Sequence, residues 1–235
     1  MKHSEARTAT DVHLEAHLAA LGACLARLRW SVGREQMALL GAYARLLLAW
    51  NRRVNLIARG DEPVLVSRHI AESLAFLATE DIAHGALVLD MGSGGGLPGI
   101  PMKIVRPDLQ MVLLDAQRRK VLFLQEAVEA LQLPGIQALC ARAESLAALA
   151  EWRQKCDVVV ARAVASLSLL WQWASPLLGG QGMLITLKGG DLASEVRALA
   201  ASDPVATVRL SAPPACLVDP SKGRAIITVR RGAQT

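Results

Sequence analysis

The stretch Leu87-Val-Leu-Asp-Met-Gly-Ser-Gly-Gly-Gly-Leu-Pro-Gly-Ile-Pro-Met102 decides the fold of this chain. An apolar run ends at Asp90, and a helix is predicted from about Pro98. Between them lie the loop glycines Gly92, Gly94, Gly95 and Gly96. Glycine suits a backbone that takes positive φ or lies against a ligand, and amides at the next helix N-terminus would face the same ligand. The stretch therefore predicts a strand, a cofactor-binding loop and a helix, with Pro98 suited to the first helical turn.

Two acids near this loop indicate which cofactor it binds. The glycine spacing also fits the G-x-G-x-x-G pattern of dinucleotide-binding folds. Asp90, however, lies two residues before Gly92, where it would repel a pyrophosphate and attract an ammonium group such as that of S-adenosylmethionine. Asp115 ends the next predicted strand, about 20 residues after the loop, where an acid binds a ribose diol. We therefore expect a nucleoside cofactor; the alternative is an ordinary strand-to-helix turn with two solvated acids.

The composition limits the class of protein. At 235 residues, 52% of them hydrophobic, the chain can bury the core of one large domain or of a domain with an appendage. No apolar run approaches the roughly 18 residues of a membrane span, and the first residues lack the apolar core of a signal peptide. We expect a cytoplasmic protein without a membrane partner.

The four cysteines, Cys24, Cys140, Cys156 and Cys216, form no C-x-x-C pair. This pattern predicts reduced, mostly buried thiols, with Cys140 and Cys156 packed in strands. No metal site is expected.

The charge balance permits a polyanionic partner without requiring one, since the net charge is +5. Aromatic residues make up only 3% of the chain, so stacking of bases on an aromatic platform is not expected. Arginines outnumber acids between residues 27 and 68 and are candidates for phosphate contact, although a solvated helix face explains them equally well. These arginines are Arg27, Arg29, Arg34, Arg45, Arg52, Arg53, Arg59 and Arg68.

Hydrophobic periodicity divides the chain into two parts. Residues 1 to about 10 are expected to be disordered, residues 11–50 to be helical with a break at 31–33, and residues 64–77 to form a third helix. We predict a helical N-terminal extension over residues 1–80 and a second domain over residues 81–235. His69, in the third helix, is expected to be a core or capping residue rather than a substrate contact.

After the loop, strands and helices alternate, which predicts an α/β fold with a parallel sheet covered on both faces. The last two strands have no helix between them and should pair antiparallel. Because ligands bind at the carboxyl ends of such strands, Asp90, Gly92, Asp115, Glu144 and Arg162 should meet at one edge. The predicted strands after the first are 111–115, 136–140, 156–162, 183–188, 205–210 and 225–230, with helices at 118–131 and 167–178 and a turn at 179–182.

The chain resembles the bacterial 16S ribosomal RNA guanine-N7 methyltransferases of the GidB family. The resemblance covers most of residues 45–190, and its most specific segment is the hexamer Gly-Leu-Pro-Gly-Ile-Pro at 96–101. Two positions depart from the family pattern: Ile57 stands where threonine is expected, and Ala225 where histidine is expected. The other matching segments are Trp50-Asn-Arg-Arg-Val-Asn-Leu, Arg68-His-Ile-Ala-Glu-Ser-Leu, Leu113-Leu-Asp, Arg142-Ala-Glu, Val159-Val-Ala-Arg-Ala-Val-Ala-Ser and Leu187-Lys-Gly.

The resemblance implies a seven-stranded, mostly parallel Rossmann-like sheet and a set of site residues. Gly92 and Leu97 would hold S-adenosylmethionine at the loop, beside Asp90, Gly94 and Gly96. Ala143 and Glu144 would surround the adenine, Asp115 would hold the ribose, and Arg162 would lie at the end of the fourth strand. The implied partner is 16S ribosomal RNA or the small ribosomal subunit. The candidates for RNA contact are Arg52, Arg53, Arg68, Arg162, Lys188 and Arg224.

Guanine N7 carries an in-plane lone pair and no proton, so methyl transfer to it needs positioning and no general base. We therefore expect no catalytic acid or base, with Arg162 and Lys188 as positioning candidates. The major groove of A-form RNA is too deep and narrow for side chains, which predicts an unpaired target guanine. The open alternatives are a methyltransferase of the same fold acting on a small molecule or a protein, and a non-catalytic nucleotide- or RNA-binding module. The sequence is silent on oligomeric state, and we expect a monomer.

Overall fold

The computed structural model describes residues 9–79, 82–162 and 165–232, with only the backbone described for residues 9–11. The expected disorder of residues 1–8 and the predicted domain boundary at 80–81 lie outside the described residues. Helix α1 begins at Ala9, so residues 9 and 10 are helical rather than disordered. None of the helices in these ranges is both long and apolar enough to cross a membrane.

The N-terminal helices are α1 (Ala9–Arg27) and α2 (Arg34–Asn51), with the break where it was predicted. The predicted third helix is instead a series of helix types. A 3-10 helix (Arg59–Val64) leads into a π-helical turn (Leu65–Ile70), then α3 (Ala71–Ala75) and a 3-10 turn (Phe76–Ala78). The wider π turn allows Leu65, Val66 and Ile70 all to be buried in the core.

The rest of the chain forms a seven-stranded sheet in the order β3-β2-β1-β4-β5-β7-β6. Strand β7 is antiparallel to both neighbours and the remaining pairs are parallel, which confirms the predicted α/β fold. The elements are β1 (Leu87–Met91), α4 (Gly99–Val105), β2 (Gln110–Asp115), α5 (Arg118–Ala130), β3 (Ile136–Cys140), α6 (Ala143–Ala148), β4 (Cys156–Arg162), α7 (Leu167–Ala174), β5 (Leu178–Lys188), α8 (Leu192–Ser202), β6 (Ala206–Ser211) and β7 (Ala225–Arg231), with 3-10 turns at Ala150–Trp152 and Pro220–Lys222.

Three local predictions were wrong. Helix α7 ends at Ala174, and the predicted turn 179–182 belongs to β5, whose register against β4 shifts between Cys156 and Val158. A Cβ on Gly182 would lie 3.0 Å from the Cys156 carbonyl oxygen, so glycine permits this irregular pairing. Helix α8 was not predicted. Pro98 precedes α4 as its N-cap instead of lying in the first turn.

The side chains of β1 alternate between two cores, one on each face of the sheet. Val88 packs with the N-terminal helices, α4 and α5, whereas Leu89 packs with α6, α7 and α8. The first core is continuous from Leu47 of α2 to Val160 of β4. The described N-terminal helices therefore form one layer of a three-layer sandwich.

The prediction of four reduced thiols was wrong for two cysteines. Cys24 and Cys216 form a disulfide with a Cα–Cα distance of 5.7 Å, because the segment before β7 packs against α1. The two residues are 192 positions apart, so their spacing in the sequence carries no signal of the pairing. Cys140 is exposed instead of packed, whereas Cys156 is buried as expected, and burial raises the pKa of its thiol to about 12.

Candidate cofactor cavity and arginine cavity

A cavity of about 220 Å³, called the cofactor cavity below, opens at the carboxyl ends of β1, β2 and β3. It brings together four of the predicted cofactor-binding residues, Gly92, Asp115, Ala143 and Glu144. The elements that carry them end side by side because Asp90 of β1 pairs with Leu113 of β2 in a parallel register. The rest of the lining is Met91, Leu114, Ala116, Ala141, Arg142 and Trp173.

The carboxylate of Asp115 is held by two backbone amides. Gly94 N donates to its Oδ2 at 2.9 Å, and Gln117 N donates to its Oδ1 at 2.8 Å. Each carboxylate oxygen retains a further lone pair that can accept a ribose hydroxyl. A fixed acid at this strand end is what a nucleoside cofactor requires, so the residues of the cavity fit S-adenosylmethionine.

The loop glycines shape this site through close packing. A Cβ on Gly99 would lie 2.4 Å from Leu113 Cδ2 and 2.7 Å from Asp90 Oδ2. Gly94 has φ +57°, in the left-handed region that glycine tolerates. Several N–H groups of the loop donate within the protein: Gly92 N donates to Leu114 O, and Gly99 N to Asp90. The loop is therefore rigid, and the amide of Gly99, the first residue of α4, does not face a ligand as expected for amides at that helix N-terminus.

Asp90 lies under the loop and does not line the cofactor cavity, contrary to the predicted contact with an ammonium group. Its side chain is fully buried, with Oδ2 accepting from Gly99 N at 2.9 Å and Oδ1 lacking a hydrogen-bond partner. Burial raises the pKa of this carboxyl to about 7, although the Gly99 amide opposes the shift. Leu97 and Gly96 also pack away from the cavity, Leu97 within the core of the N-terminal face.

Tyr43, the single tyrosine of the chain, joins α2 to the same loop. Its fully buried hydroxyl donates to Gly95 O at 2.6 Å, and burial raises the pKa of the phenol well above its usual value. The contact explains why the N-terminal helices matter for the loop geometry. Sequence reasoning missed this residue because its partner is 52 positions away.

A second cavity, of about 430 Å³, lies at the carboxyl ends of β4 and β5, on the other side of β1. We call it the arginine cavity because four of the six predicted RNA-contact residues line it. These are Arg68, Arg162, Lys188 and Arg224, and the remaining lining is His69, Glu72, Leu187 and Gly189. Arg162 thus lies here and not in the cofactor cavity.

Glu72 of α3 connects three of these cations. Arg224 Nη1 lies 2.6 Å from its Oε1, Arg68 Nε lies 3.6 Å from the same oxygen, and Arg162 Nη1 lies 3.6 Å from Oε2. The carboxylate is only 8% exposed. Arg162 is largely buried, which lowers the pKa of its guanidinium, and it donates to His69 O at 3.2 Å.

His69 lies in the wall of the arginine cavity. Its Nε2 is 3.0 Å from Asp61 Oδ2, and its buried Nδ1 has no hydrogen-bond partner. Burial and the neighbouring Arg162 lower the pKa of the imidazole. Lys188 is held by Glu195 at 2.8 Å and by Ala165 O at 2.7 Å.

Arg52 and Arg53 lie away from both cavities. Their position follows from Asn51, whose Oδ1 accepts from Leu56 N and Ile57 N and so fixes the turn after α2. Both arginines are exposed. Arg52 lines a separate cavity of about 500 Å³ between α1 and the 3-10 helix that contains Arg59.

Trp173 of α7 is a lining residue that the sequence did not indicate. It forms part of the wall of the cofactor cavity, while the neighbouring Trp171 is buried and donates from Nε1 to Asp203 at 2.7 Å. Two tryptophans spaced by two residues lie on different helix faces, so only the packing of α7 decides which one faces the cavity.

The chain has the Rossmann-like fold of solved S-adenosylmethionine-dependent methyltransferases, and its acid-lined cavity fits their cofactor. A SAM dependent methyltransferase from Aquifex aeolicus matches with a TM-score of 0.53 and 17% identity, covering 73% of this chain and 95% of that one. Fibrillarin from Aeropyrum pernix, in complex with S-adenosyl-L-methionine, matches with a TM-score of 0.51 and 13% identity, covering 68% and 76%. These likenesses confirm the predicted fold.

Sequence comparison identifies the family. The model of GidB, rRNA small subunit methyltransferase G, matches residues 36–219. The ribosomal RNA small subunit methyltransferase G of Rubrobacter xylanophilus is 40% identical over 184 residues, 77% of this chain and 70% of that protein. The protein of the same name from Moorella thermoacetica is 39% identical over 169 residues, 70% of each. The chain belongs to the GidB family, which confirms the resemblance seen in its motifs.

Proposed function

We propose that this protein transfers a methyl group from S-adenosylmethionine to N7 of a specific guanine in 16S ribosomal RNA. The observation that carries the proposal is the placement of two cavities at one sheet edge, one lined by a backbone-anchored acid and the other by four cations. The first suits a nucleoside cofactor and the second an anionic substrate. Membership of a family described as rRNA small subunit methyltransferases supports the same substrate class.

The cofactor is S-adenosylmethionine. Asp115 would accept from the ribose hydroxyls, and Ala143, Glu144 and Trp173 would enclose the adenine. When bound, the cofactor supplies an activated methyl group on a sulfonium. The rigid loop from Gly92 to Gly99 would fix the end of the cofactor nearest the switch between β1 and β4, where ligands of such sheets lie.

The chain's own contribution to the transfer is positioning. Because N7 has a lone pair and no proton, neither cavity has to supply a general base. Arg162 and Lys188 would orient the target base, and both are held by partners within the protein. An unpaired guanine fits this arrangement, because duplex RNA does not present N7 to side chains.

The remaining cations would hold the RNA around the target. Arg68 and Arg224 lie at the arginine cavity, while Arg52 and Arg53 lie on a more distant exposed surface. We propose that these four residues contact flanking phosphates, and that residues 1–80 act mainly in RNA binding while residues 81–235 form the catalytic domain. We further propose that the protein acts as a monomer in the cytoplasm on 16S ribosomal RNA or the small subunit.

Methyl transfer to RNA tests the proposal directly. The protein is incubated with labelled S-adenosylmethionine and small ribosomal subunits, or their RNA, from cells that lack the endogenous activity. We expect a single 7-methylguanosine per RNA on nucleoside analysis. Label at another atom would contradict the N7 assignment, and label on a protein or a small molecule would favour the alternative substrate classes. Asp115→Ala is the matched control that should abolish labelling at low cofactor concentration.

A further inference from the structure

The arginine cavity contains a carboxylate where a site for phosphate alone would contain only cations. Within the described lining, Glu72 is the single acid among four cations. It is 8% exposed, and its Oε1 lies 2.6 Å from Arg224 Nη1. Its Oε2 lies 3.6 Å from Arg162 Nη1, longer than a hydrogen bond, so this oxygen retains capacity to accept.

Guanine carries the groups that complement this arrangement. Its Watson–Crick edge offers two adjacent donors, N1–H and the 2-amino group, beside the O6 acceptor. A carboxylate accepts both N–H groups, and a neighbouring guanidinium or ammonium donates to O6. Adenine offers one donor beside the N1 lone pair, which a carboxylate repels. A carboxylate next to cations therefore distinguishes guanine from adenine.

The positions of the two cavities agree with this orientation of the base. N7 and the N1–H/2-amino edge lie on opposite sides of the purine. A guanine whose N7 points to the cofactor cavity, at the ends of β1, β2 and β3, turns its donors away from it. The arginine cavity lies on that far side, at the ends of β4 and β5, with neighbouring strands about 4.8 Å apart.

We propose that Glu72 is the residue that selects guanine, by accepting the N1–H and 2-amino groups of the target base. Arg162 and Arg224, which lie beside its two oxygens, orient the carboxylate. The inference rests on the proposed N7 methylation and adds to it the determinant of base identity.

A change of base preference tests Glu72. Glu72→Gln replaces one acceptor by a donor, which matches the Watson–Crick edge of adenine, and adenine also has a free N7. Small subunits are reconstituted with 16S ribosomal RNA that carries guanine or adenine at the position methylated by the wild-type protein. We expect Glu72→Gln to shift the guanine-to-adenine ratio of kcat/KM at least about 10-fold toward adenine, the size of one bidentate base contact. Glu62→Gln, a carboxamide change on the same segment outside the arginine cavity, should keep the wild-type ratio.

The outcomes separate this inference from the proposed function. If the wild-type protein does not methylate guanine N7, the proposed function fails. If it does, and Glu72→Gln lowers both rates equally or leaves the ratio unchanged, Glu72 only organises the arginines and the inference is overturned. Calorimetry with S-adenosylmethionine shows whether the variant is folded, since Glu72 does not line the cofactor cavity.

A substrate analogue tests the inference without any variant. Inosine at the target position keeps N7, O6 and N1–H and lacks the 2-amino group. We expect the wild-type protein to methylate the inosine substrate about 10-fold more slowly in kcat/KM, or worse. Equal rates on guanosine and inosine would overturn the role of Glu72 even if Glu72→Gln does not fold.

Discussion

The cofactor cavity and the arginine cavity lie at the same sheet edge but are built in opposite ways. In the first, Asp115 is held by the amides of Gly94 and Gln117, within a short stretch of chain. In the second, Glu72 and Arg162 meet from α3 and β4, and Arg224 reaches them from the segment before β7. A cofactor of constant structure suits rigid backbone anchors, whereas an RNA surface suits long cationic side chains arranged around one carboxylate.

The largest effect is expected from Asp115→Ala, which should weaken ligand binding in the cofactor cavity and not in the arginine cavity. The change removes the acceptor for the ribose and both backbone anchors. Loss of charge-assisted hydrogen bonds of about 1.5–3 kcal/mol should weaken S-adenosylmethionine binding about 100-fold in calorimetry. RNA affinity in filter binding should stay within about twofold. Equal losses for both ligands would show that the cavities are not independent.

Gly99→Ala should destabilise the folded protein, with a free-energy cost almost as large as the loss of cofactor binding in Asp115→Ala. The added Cβ would overlap Leu113 Cδ2 at 2.4 Å, and overpacking of this kind costs about 1–3 kcal/mol. We expect a lower Tm and a denaturant midpoint shifted to lower concentration. Gly60→Ala is the matched control, because a Cβ added at Gly60 would meet nothing within 4 Å and the φ of Gly60 is not in the left-handed region. Equal stability of the two variants would contradict the packing described for Gly99.

Arg224→Gln tests the arginine cavity alone. Its guanidinium lies at the cavity and contacts Glu72, so its loss should weaken RNA binding about 10-fold at low salt. The slope of log affinity against log salt should become shallower by about 1. Cofactor binding should not change. If the RNA affinity of the wild-type protein did not change with salt concentration, the arginines of this cavity would be solvated surface residues that do not contact phosphates.

The smallest effect is expected from Asp90→Asn, which should change the free energy of unfolding in a pH-dependent way. Burial raises the pKa of Asp90 to about 7 in the folded protein, above its unfolded value of 3.8. The folded state therefore binds its proton more tightly than the unfolded state does, so this group lowers the free energy of unfolding as pH rises from 4 to 7. Asparagine does not ionise, so the stability of the variant relative to the wild type should increase as pH rises toward 8.

Urea unfolding of Asp90→Asn and the wild-type protein at pH 5 and pH 8 measures this effect. The difference between the two proteins should be small at pH 5 and grow toward pH 8. A difference that does not vary with pH would show that Asp90 is ionised across the whole range. The comparison cancels the other titrating groups, which both proteins share.

Local patterns predicted much of the fold because each depends on neighbouring residues. Strands β3 and β4 have the predicted bounds, and the antiparallel pairing of β6 and β7 followed from the absence of a helix pattern between them. Other predictions were wrong because contacts between distant parts of the chain decide the structure there. Residues 179–182 lie within β5, between Leu178 and Met183, which pair with β4 on either side of the register shift, so an irregular strand replaces the predicted turn. Cys24 and Cys216 pair only because α1 packs against a distant segment.

The sequence by itself determined the sheet, the glycine loop, the acid at the end of β2 and the family, because these depend on periodicity, backbone conformation and short motifs. Only the tertiary structure decided that Asp90 is buried under the loop, that Trp173 lines the cofactor cavity, and that Arg162 belongs with Glu72. The physical reason is that burial and ion pairing depend on distances between residues far apart in the chain. Those distances exist only when the three layers are packed.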